Sequence, residues 1–184
     1  MYSRGRIKLS RKHDLNTMKK SLYIILFISS IVFSQNTEKQ LDSLLYELLS
    51  FDVPLIKVSP HINLDHYLLL DSREPNEFAV SHIKNALNVG YNNFDLNTFT
   101  QQIPDKNTAI IIYCSIGYRS EKVGLQLIHA GYSNVKNLYG GIFSWINARH
   151  LIVDKHNNQT VDIHTYSKEW SQWVCFGNKI YATE

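Results

Sequence analysis

Ile110 to Tyr113 form an unbroken apolar run, and the run stops at a thiol, Cys114. Consecutive apolar residues without polar alternation suit a strand buried on both faces, as in the middle of a parallel sheet. Beyond Cys114 the chain turns largely small, polar and basic, through Ser115, Ile116, Gly117, Tyr118, Arg119 and Ser120. After Arg119, Val123, Leu127 and Ala130 recur at helical spacing and Gly131 supplies a stop. The cysteine therefore belongs to a short loop between a strand and a helix.

A loop of this kind has a definite electrostatic character. Successive backbone N–H groups curl around a concavity, and the first turn of the following helix leaves its own N–H groups unpaired. Arg119 adds a positive charge nearby. Together these features hold an anion and favour thiolate over thiol at Cys114, which makes it a candidate nucleophile toward sulfur, phosphorus or arsenic.

The stretch CSIGYRS, residues 114 to 120, resembles the active-site loop of the rhodanese-like family, commonly C-x-x-G-x-R-S. Arg119 closes a C-x4-R spacing, whereas the related cysteine phosphatases and arsenate reductases carry C-x5-R. The tighter loop fits a single sulfane sulfur better than a phosphoryl group. A second match is independent of the first: Asp71, Arg73, Glu77, Phe78, His82, Ile83, Ala86 and Asn88 occupy the places of D-x-R-x-x-x-E-[FY] and H-I-x-x-A-x-N. Ser81 stands where the family usually has Gly, which would strain the turn if a positive φ were needed there. A third match, NLYGGIFSW, resembles N-L-x-G-G-x-x-x-W, with Trp145 read as a packing residue.

The resemblance implies an α/β fold, a parallel sheet flanked by helices on both faces, and strands alternating with helices along the chain agree. It also implies a sulfurtransferase similar to the thiosulfate-using members. In that mechanism Cys114 takes a sulfane sulfur as a persulfide and hands it to cyanide or a thiol. N–H groups from Ser115 to Ser120 stabilise the anions, and Arg119 draws in a small anionic donor. Ile116 and Tyr118 shape the rim, and Tyr118 is placed to influence acceptor choice. No metal or organic cofactor is called for, and a protein could serve as sulfur acceptor. The rivals are a non-turnover sulfur carrier or protein-binding module, and a phosphatase or arsenate reductase.

The accessory motif reads mainly as structural. Arg73 and Glu77 lie four apart and could pair across a helical turn, while Asp71 accepts N–H bonds from the turn after its strand. The functional alternative has Arg73 adding positive potential at the substrate mouth. His82 reads as a hydrogen-bonded turn histidine, and His61 and His66, five apart without further ligands, do not make a metal site.

At the front, Lys19 and Lys20 precede an apolar or small run from Ser21 to Phe33, and Val32 and Ser34 suit a signal-peptidase site before Gln35. The run is too short for a bilayer, which needs roughly 20 residues. Export to the periplasm or beyond is the expectation, with no lipidated Cys and no membrane anchor after cleavage. The signal's natural start is Met18, so residues 1 to 17 read as an upstream over-extension. Residues 1 to 34 hold seven Lys and Arg and one acid, which leaves 12 basic and 15 acidic side chains, or −3, in the rest. A mildly acidic body carries no nucleic-acid signature.

Residues 35 to 150 are then the domain proper. It opens on a docking helix with a capping-box spacing at Thr37 and Gln40 and a stripe of Leu41, Leu44, Leu45, Leu48 and Leu49. Strands are expected at Val53 to Val58, Tyr67 to Leu70 and Val135 to Leu138, and Asp95 caps a helix LNTFTQQ. Residues 151 to 184 form an extension with a strand near Val161 and Ile163 and an apolar helical face from Trp170, Trp173, Val174 and Cys175. It should pack back on the domain, since large exposed apolar residues are costly; a partner-docking surface is the alternative. Cys175 is expected in the core, leaving Cys114 free, although a bridge between them is compatible with an oxidising compartment.

Overall fold

The computed structural model describes the backbone from Arg4 to Tyr181 and the side chains of residues 18–26 and 35–181. Two compact units divide the chain, Met1–Thr37 and Glu38–Glu184. Helix α1 covers Arg4–Leu48. Neither Gly nor Pro occurs between Arg6 and Val53, so nothing interrupts the helix at the expected capping box. Thr37 and Gln40 lie inside α1 rather than at its start, which corrects that expectation. The side chains of the expected cleavage site, Val32 to Ser34, lie outside the described residues. Among those described, no helix is long and apolar enough to cross a membrane.

In the second unit the apolar runs become strands β1 (Leu55–Lys57), β2 (Leu68–Asp71), β3 (Leu87–Asn88), β4 (Ile110–Tyr113) and β5 (Val135–Tyr139). They form one sheet in the order β1-β5-β4-β2-β3, with every neighbouring pair parallel. Leu70 pairs with Ile112 and Asp71 with Tyr113, so β2 and β4 end level. Helices α2 (Pro75–Val80), α3 (Leu96–Gln102) and α4 (Tyr118–His129) connect β2 to β5 in turn, and α5 (Gly141–Asn147) follows β5. The Asp95 carboxylate accepts from Asn97 and Thr98 N–H groups, capping α3 as expected. The edge strand β3 was not anticipated, because two residues carry no periodic signal.

Strand alternation sorts the core into two layers. Leu69, Ile111, Tyr113 and Leu138 face one side, against Leu41 and Leu45 of α1, Leu49 just beyond it, and Ile142, Phe143 and Ile146 of α5. Leu70, Ile110, Ile112 and Val135 face the other, against Phe99 of α3 and Val123 and Leu127 of α4. Each fully buried leucine contributes roughly 2 kcal/mol, so Leu41, Leu45 and Leu49, all at most 5% exposed, dominate the attachment of the end of α1. Beyond Leu48 the chain is turned back by Glu121, whose carboxylate accepts from the N–H groups of Ser50 (3.0 Å) and Phe51 (2.7 Å).

The extension packs on the first layer. Strands β6 (Ile152–Val153) and β7 (Gln159–Thr160) pair antiparallel, and β8 (Asp162–His164) pairs in parallel with β9 (Asn178–Ile180). Ile152, Ile163 and Val174 join the core, with Trp170, Trp173 and Phe176 packed against it. Val153 bridges back to His82 through reciprocal backbone bonds of 2.8 and 2.9 Å. The expected apolar helix is only a 3-10 turn, Trp170–Trp173. The Asn147 side chain donates to Trp173 O (2.8 Å) and accepts from Cys175 N–H (2.7 Å), satisfying the chain in a bent path that a helix would not take. Cys175 is half-buried rather than in the core, and both cysteines are free.

Candidate active site

Strand β2 leads to β3 on one side and β4 leads to β5 on the other, so the chain order reverses between β2 and β4. The carboxyl ends of such a pair border the crevice in which open parallel sheets bind ligands. Cys114 is the first residue beyond β4, and it is 1% exposed.

What the thiol meets is set by where the loop's carbonyls go. Ile142 N–H donates to the Cys114 carbonyl (2.9 Å) and Phe143 N–H to that of Ser115 (3.1 Å), both from the first turn of α5. The Asn137 side chain donates to the Gly117 carbonyl (2.9 Å) and accepts from the Ser120 hydroxyl (2.7 Å). With their carbonyls taken by donors outside the loop, these peptides leave the concavity to N–H groups. Gly117 N–H donates to Cys114 Sγ at 3.1 Å. Two glycines permit this. Gly117 sits at φ 114°, in the left-handed region, as the residue opening α4. A Cβ on Gly141 would lie 2.3 Å from the Cys114 carbonyl oxygen, so α5 can reach the loop only through a glycine.

Arg119 is engaged by the second motif. Its Nη1 and Nη2 donate to Glu77 Oε2 (2.6 Å) and Oε1 (2.9 Å), and Nη2 also donates to Ser115 Oγ (3.0 Å). Burial works against the charged guanidinium, but the Glu77 carboxylate and the nearby Cys114 sulfur hold it protonated. Glu77 is 1% exposed. Burial alone would raise its pKa; the bonds from Arg119 and from Glu74 N–H (3.0 Å) outweigh that and hold it below the usual value. His164 Nδ1 lies 3.9 Å from Glu77. That nitrogen accepts the Tyr166 N–H (3.1 Å), so it carries no proton, and burial keeps the ring's pKa below its ordinary value.

Asp71 and Arg73 are drawn together beneath the site. Arg73 Nε and Nη2 donate to the Asp71 carboxylate at 3.0 and 2.6 Å, and the Arg73 N–H donates to it at 2.9 Å. The pairing of Arg73 with Glu77 is thereby overturned, because Asp71 is nearer along the turn and Arg119 arrives from α4 to claim Glu77. Both Asp71 and Arg73 are 0% exposed, and neither lines the cleft. Burial disfavours the Arg73 charge, yet Asp71 keeps its pKa raised. Asn88 ties the carbonyls of Asp71 (3.1 Å) and Arg73 (2.8 Å), so the motif builds a turn of which Glu77 alone reaches the Cys114 loop. Ser81 is extended at φ −167°, so it needs no glycine. His82 Nδ1 meets the Phe78 carbonyl at 3.1 Å and its ring stacks on Phe78, which suits the structural reading.

A cleft of about 390 Å³ opens above the loop. Cys114, Ser115 and Ile116 form its floor, with Tyr118 and Arg119 from α4, Leu48 from α1, Glu74 before α2, and Tyr91 and Asn92 after β3. Tyr166 and Trp170 of the extension complete the wall. Tyr166 is in the left-handed region at φ 64°, costly for an aromatic residue, and its ring lies 5.6 Å from the Arg119 guanidinium. Sequence reasoning missed both, since the extension carries no match to the family motifs. Asn137 and Gly141 were visible in the third motif, but their contact with the Cys114 loop was not. Among the described residues no cluster of His, Cys, Asp and Glu is placed to hold a metal ion.

The chain is 34% identical over 87 residues to the tRNA uridine(34) hydroxylase of Hamiltonella defensa, covering 43% of this chain and 23% of that protein. The enzyme of the same name from Yersinia pestis is 34% identical over 86 residues, with 42% and 23% covered. The chain thus spans under a quarter of the length of these relatives. Among solved structures, a rhodanese-related protein from Thermoplasma volcanium aligns at TM-score 0.47 and 27% identity, covering 54% of this chain and 97% of its own. A thiosulfate sulfurtransferase from Pseudomonas aeruginosa aligns at 0.47 and 22%, covering 54% and 20%. Residues 57–148, half of the chain and the part that holds all three motifs, match the rhodanese-like domain, and the protein belongs to that family.

Proposed function

We propose that the protein is a sulfurtransferase that moves a sulfane sulfur from a donor to a thiophilic acceptor through a persulfide on Cys114. The observation that carries the reading is the Gly117 N–H donated to Cys114 Sγ at 3.1 Å, in a loop whose Cys114, Ser115 and Gly117 carbonyls are bonded elsewhere. A sulfur so placed is stabilised as an anion and can attack. With thiosulfate as the simplest donor, the thiolate attacks the outer sulfur. A new S–S bond forms, the old one breaks, and its electron pair leaves with sulfite. A thiol or cyanide then removes the sulfur in the reverse sense. Nothing in this sequence calls for a metal or an organic cofactor.

The test is intact-mass measurement of fully reduced, folded protein after incubation with thiosulfate and other sulfane donors. The expected result is a gain of one sulfur that cyanide reverses and Cys114→Ser abolishes. No gain from any donor rejects the reading. A carrier module that loads but turns over no faster than a free thiol would show the gain without catalysis. Phosphatase chemistry is disfavoured by the short loop and by the commitment of Arg119 to Glu77.

The relatives' name offers a second reading, action on tRNA. The match covers only 23% of those proteins, and the −3 balance outside residues 1 to 34 disfavours an RNA partner. Export remains part of the proposal and rests on the sequence from Lys19 to Ser34. An N-terminus at Gln35 in protein recovered from cells would support it, and retention of the segment would not.

A further inference from the structure

The charge balance and the walls of the cleft narrow the donor. Arg119 and Glu74 are the charged side chains that line it, and the Arg119 charge is taken by Glu77, bidentate at 2.6 and 2.9 Å, with side chains 16% and 2% exposed. Counting Glu77 directly behind the guanidinium, the walls hold two carboxylates and one cation. A small dianion such as thiosulfate finds no uncommitted positive charge there; a second negative charge would add repulsion in a partly desolvated site. Apart from Asn92, Ser115 and Cys114 itself, the rest of the wall is apolar and aromatic: Leu48, Ile116, Tyr91, Tyr118, Tyr166 and Trp170. Its volume of about 390 Å³ is far larger than the two sulfurs and three oxygens of thiosulfate require. Tyr166 is held in a strained backbone conformation, secured by its N–H bond to His164 and, one turn on, by the packing of Trp170 on the core.

Resting on the sulfur-transfer reading, we infer that the donor is an organic sulfane-sulfur compound with a flat apolar body and at most one negative charge, seated between Tyr166, Trp170 and Tyr118. The sulfur to be transferred points down at Cys114, and the apolar body replaces water on the aromatic wall. Organic thiosulfonates, R–SO2–S⁻, represent the class. The Cys114 thiolate attacks the terminal sulfur, the sulfur–sulfonyl bond breaks, and its electron pair leaves with the sulfinate R–SO2⁻. The charge is the same before and after, and no external oxidant or reductant enters. Trp170 and Tyr166 are then specificity-determining residues supplied by the extension.

Benzenethiosulfonate and methanethiosulfonate carry the same charge and differ in the apolar body, with thiosulfate as the dianion. kcat/KM for each is divided by its rate constant with free cysteine, which removes intrinsic reactivity. The expected normalised preference for benzene over methane is at least tenfold, and over thiosulfate larger still. Tyr166→Ala and Trp170→Ala should each reduce the benzene-over-methane ratio at least fivefold. Tyr166 is 58% exposed, so that variant keeps its fold. A wild-type ratio within twofold of one, or a ratio that neither variant changes, overturns the inference. Binding of benzenesulfinate to Cys114→Ser, followed by tryptophan fluorescence, separates the two failures. If no donor loads Cys114 the transferase reading falls, while the aromatic seat still stands or falls on whether benzenesulfinate binds at least tenfold tighter than methanesulfinate.

Discussion

At Glu77 three parts of the chain meet: its own helix α2, Arg119 from α4, and His164 from β8. Its carboxylate accepts from Arg119, Glu74 N–H and Ser115 Oγ, so Glu77→Gln leaves a guanidinium without its counter-charge in a mostly buried place. The expected loss is about 3 kcal/mol, measured by urea unfolding at neutral pH. The titration of His82, His164 and Glu77 has a defined sign. His82 and His164 are held below the usual 6.5 when folded, chiefly by burial. The unfolded chain therefore takes up protons before the folded one, and their contribution is full above about 6.5 and is lost as pH falls through the folded values. Glu77, held below its usual 4.5, adds stability present above that value and lost further into acid. Urea midpoints should thus decline from pH 7 to pH 5 and more steeply below 4.5, and His82→Gln with His164→Gln should flatten the first part. Ser81 offers the opposite case. Its Oγ is buried with no hydrogen-bond partner, so Ser81→Ala should be neutral or stabilising by up to about 1 kcal/mol in the same assay.

Between elements, the decisive contact is that of α5 with the Cys114 loop. The bonds from Ile142 and Phe143 N–H depend on backbone approach at Gly141, where a Cβ would meet the Cys114 carbonyl oxygen at 2.3 Å. Gly141→Ala must push α5 and the loop apart. The expected cost is about 2 kcal/mol or more, together with loss of sulfur loading in the mass assay, since the loop carbonyls would no longer be held. Gly117→Ala meets no serious clash but must hold φ 114°, so it should cost about 1 to 2 kcal/mol and slow loading rather than abolish it. A result in which Gly141→Ala loads sulfur at the wild-type rate would mean that the carbonyl clamp is irrelevant to the thiolate.

Over the whole Glu38–Glu184 unit, the extension behaves as core rather than as a tail. Ile163, in β8, is 0% exposed and lies in the same cluster as Ile111 of the central strand. Ile163→Ala should therefore cost about 2 to 5 kcal/mol, as much as Ile111→Ala, and tryptophan fluorescence and far-UV circular dichroism should report one coincident transition. Local pattern carried much of this architecture. Apolar runs, the Asp95 cap, the glycine after α4 and the three motifs made the parallel sheet, its helices and the position of Cys114 readable along the chain. The pairing of charges was less so: Arg73 and Glu77 stand one turn apart in sequence, yet each found a different partner. Nor was the 3-10 turn at Trp170 readable, because Asn147 imposes it from 26 residues away. By itself the sequence determined the main strands of the parallel sheet, the helix after Cys114 and that a thiol stands at a strand end, since these follow from periodicity and backbone chemistry within a few residues. Only the tertiary structure decided that Arg119 is neutralised by Glu77 and that Tyr166 and Trp170 wall the cleft. Charge compensation and the shape of a cavity depend on distances between segments far apart in the chain, and no local pattern encodes those distances.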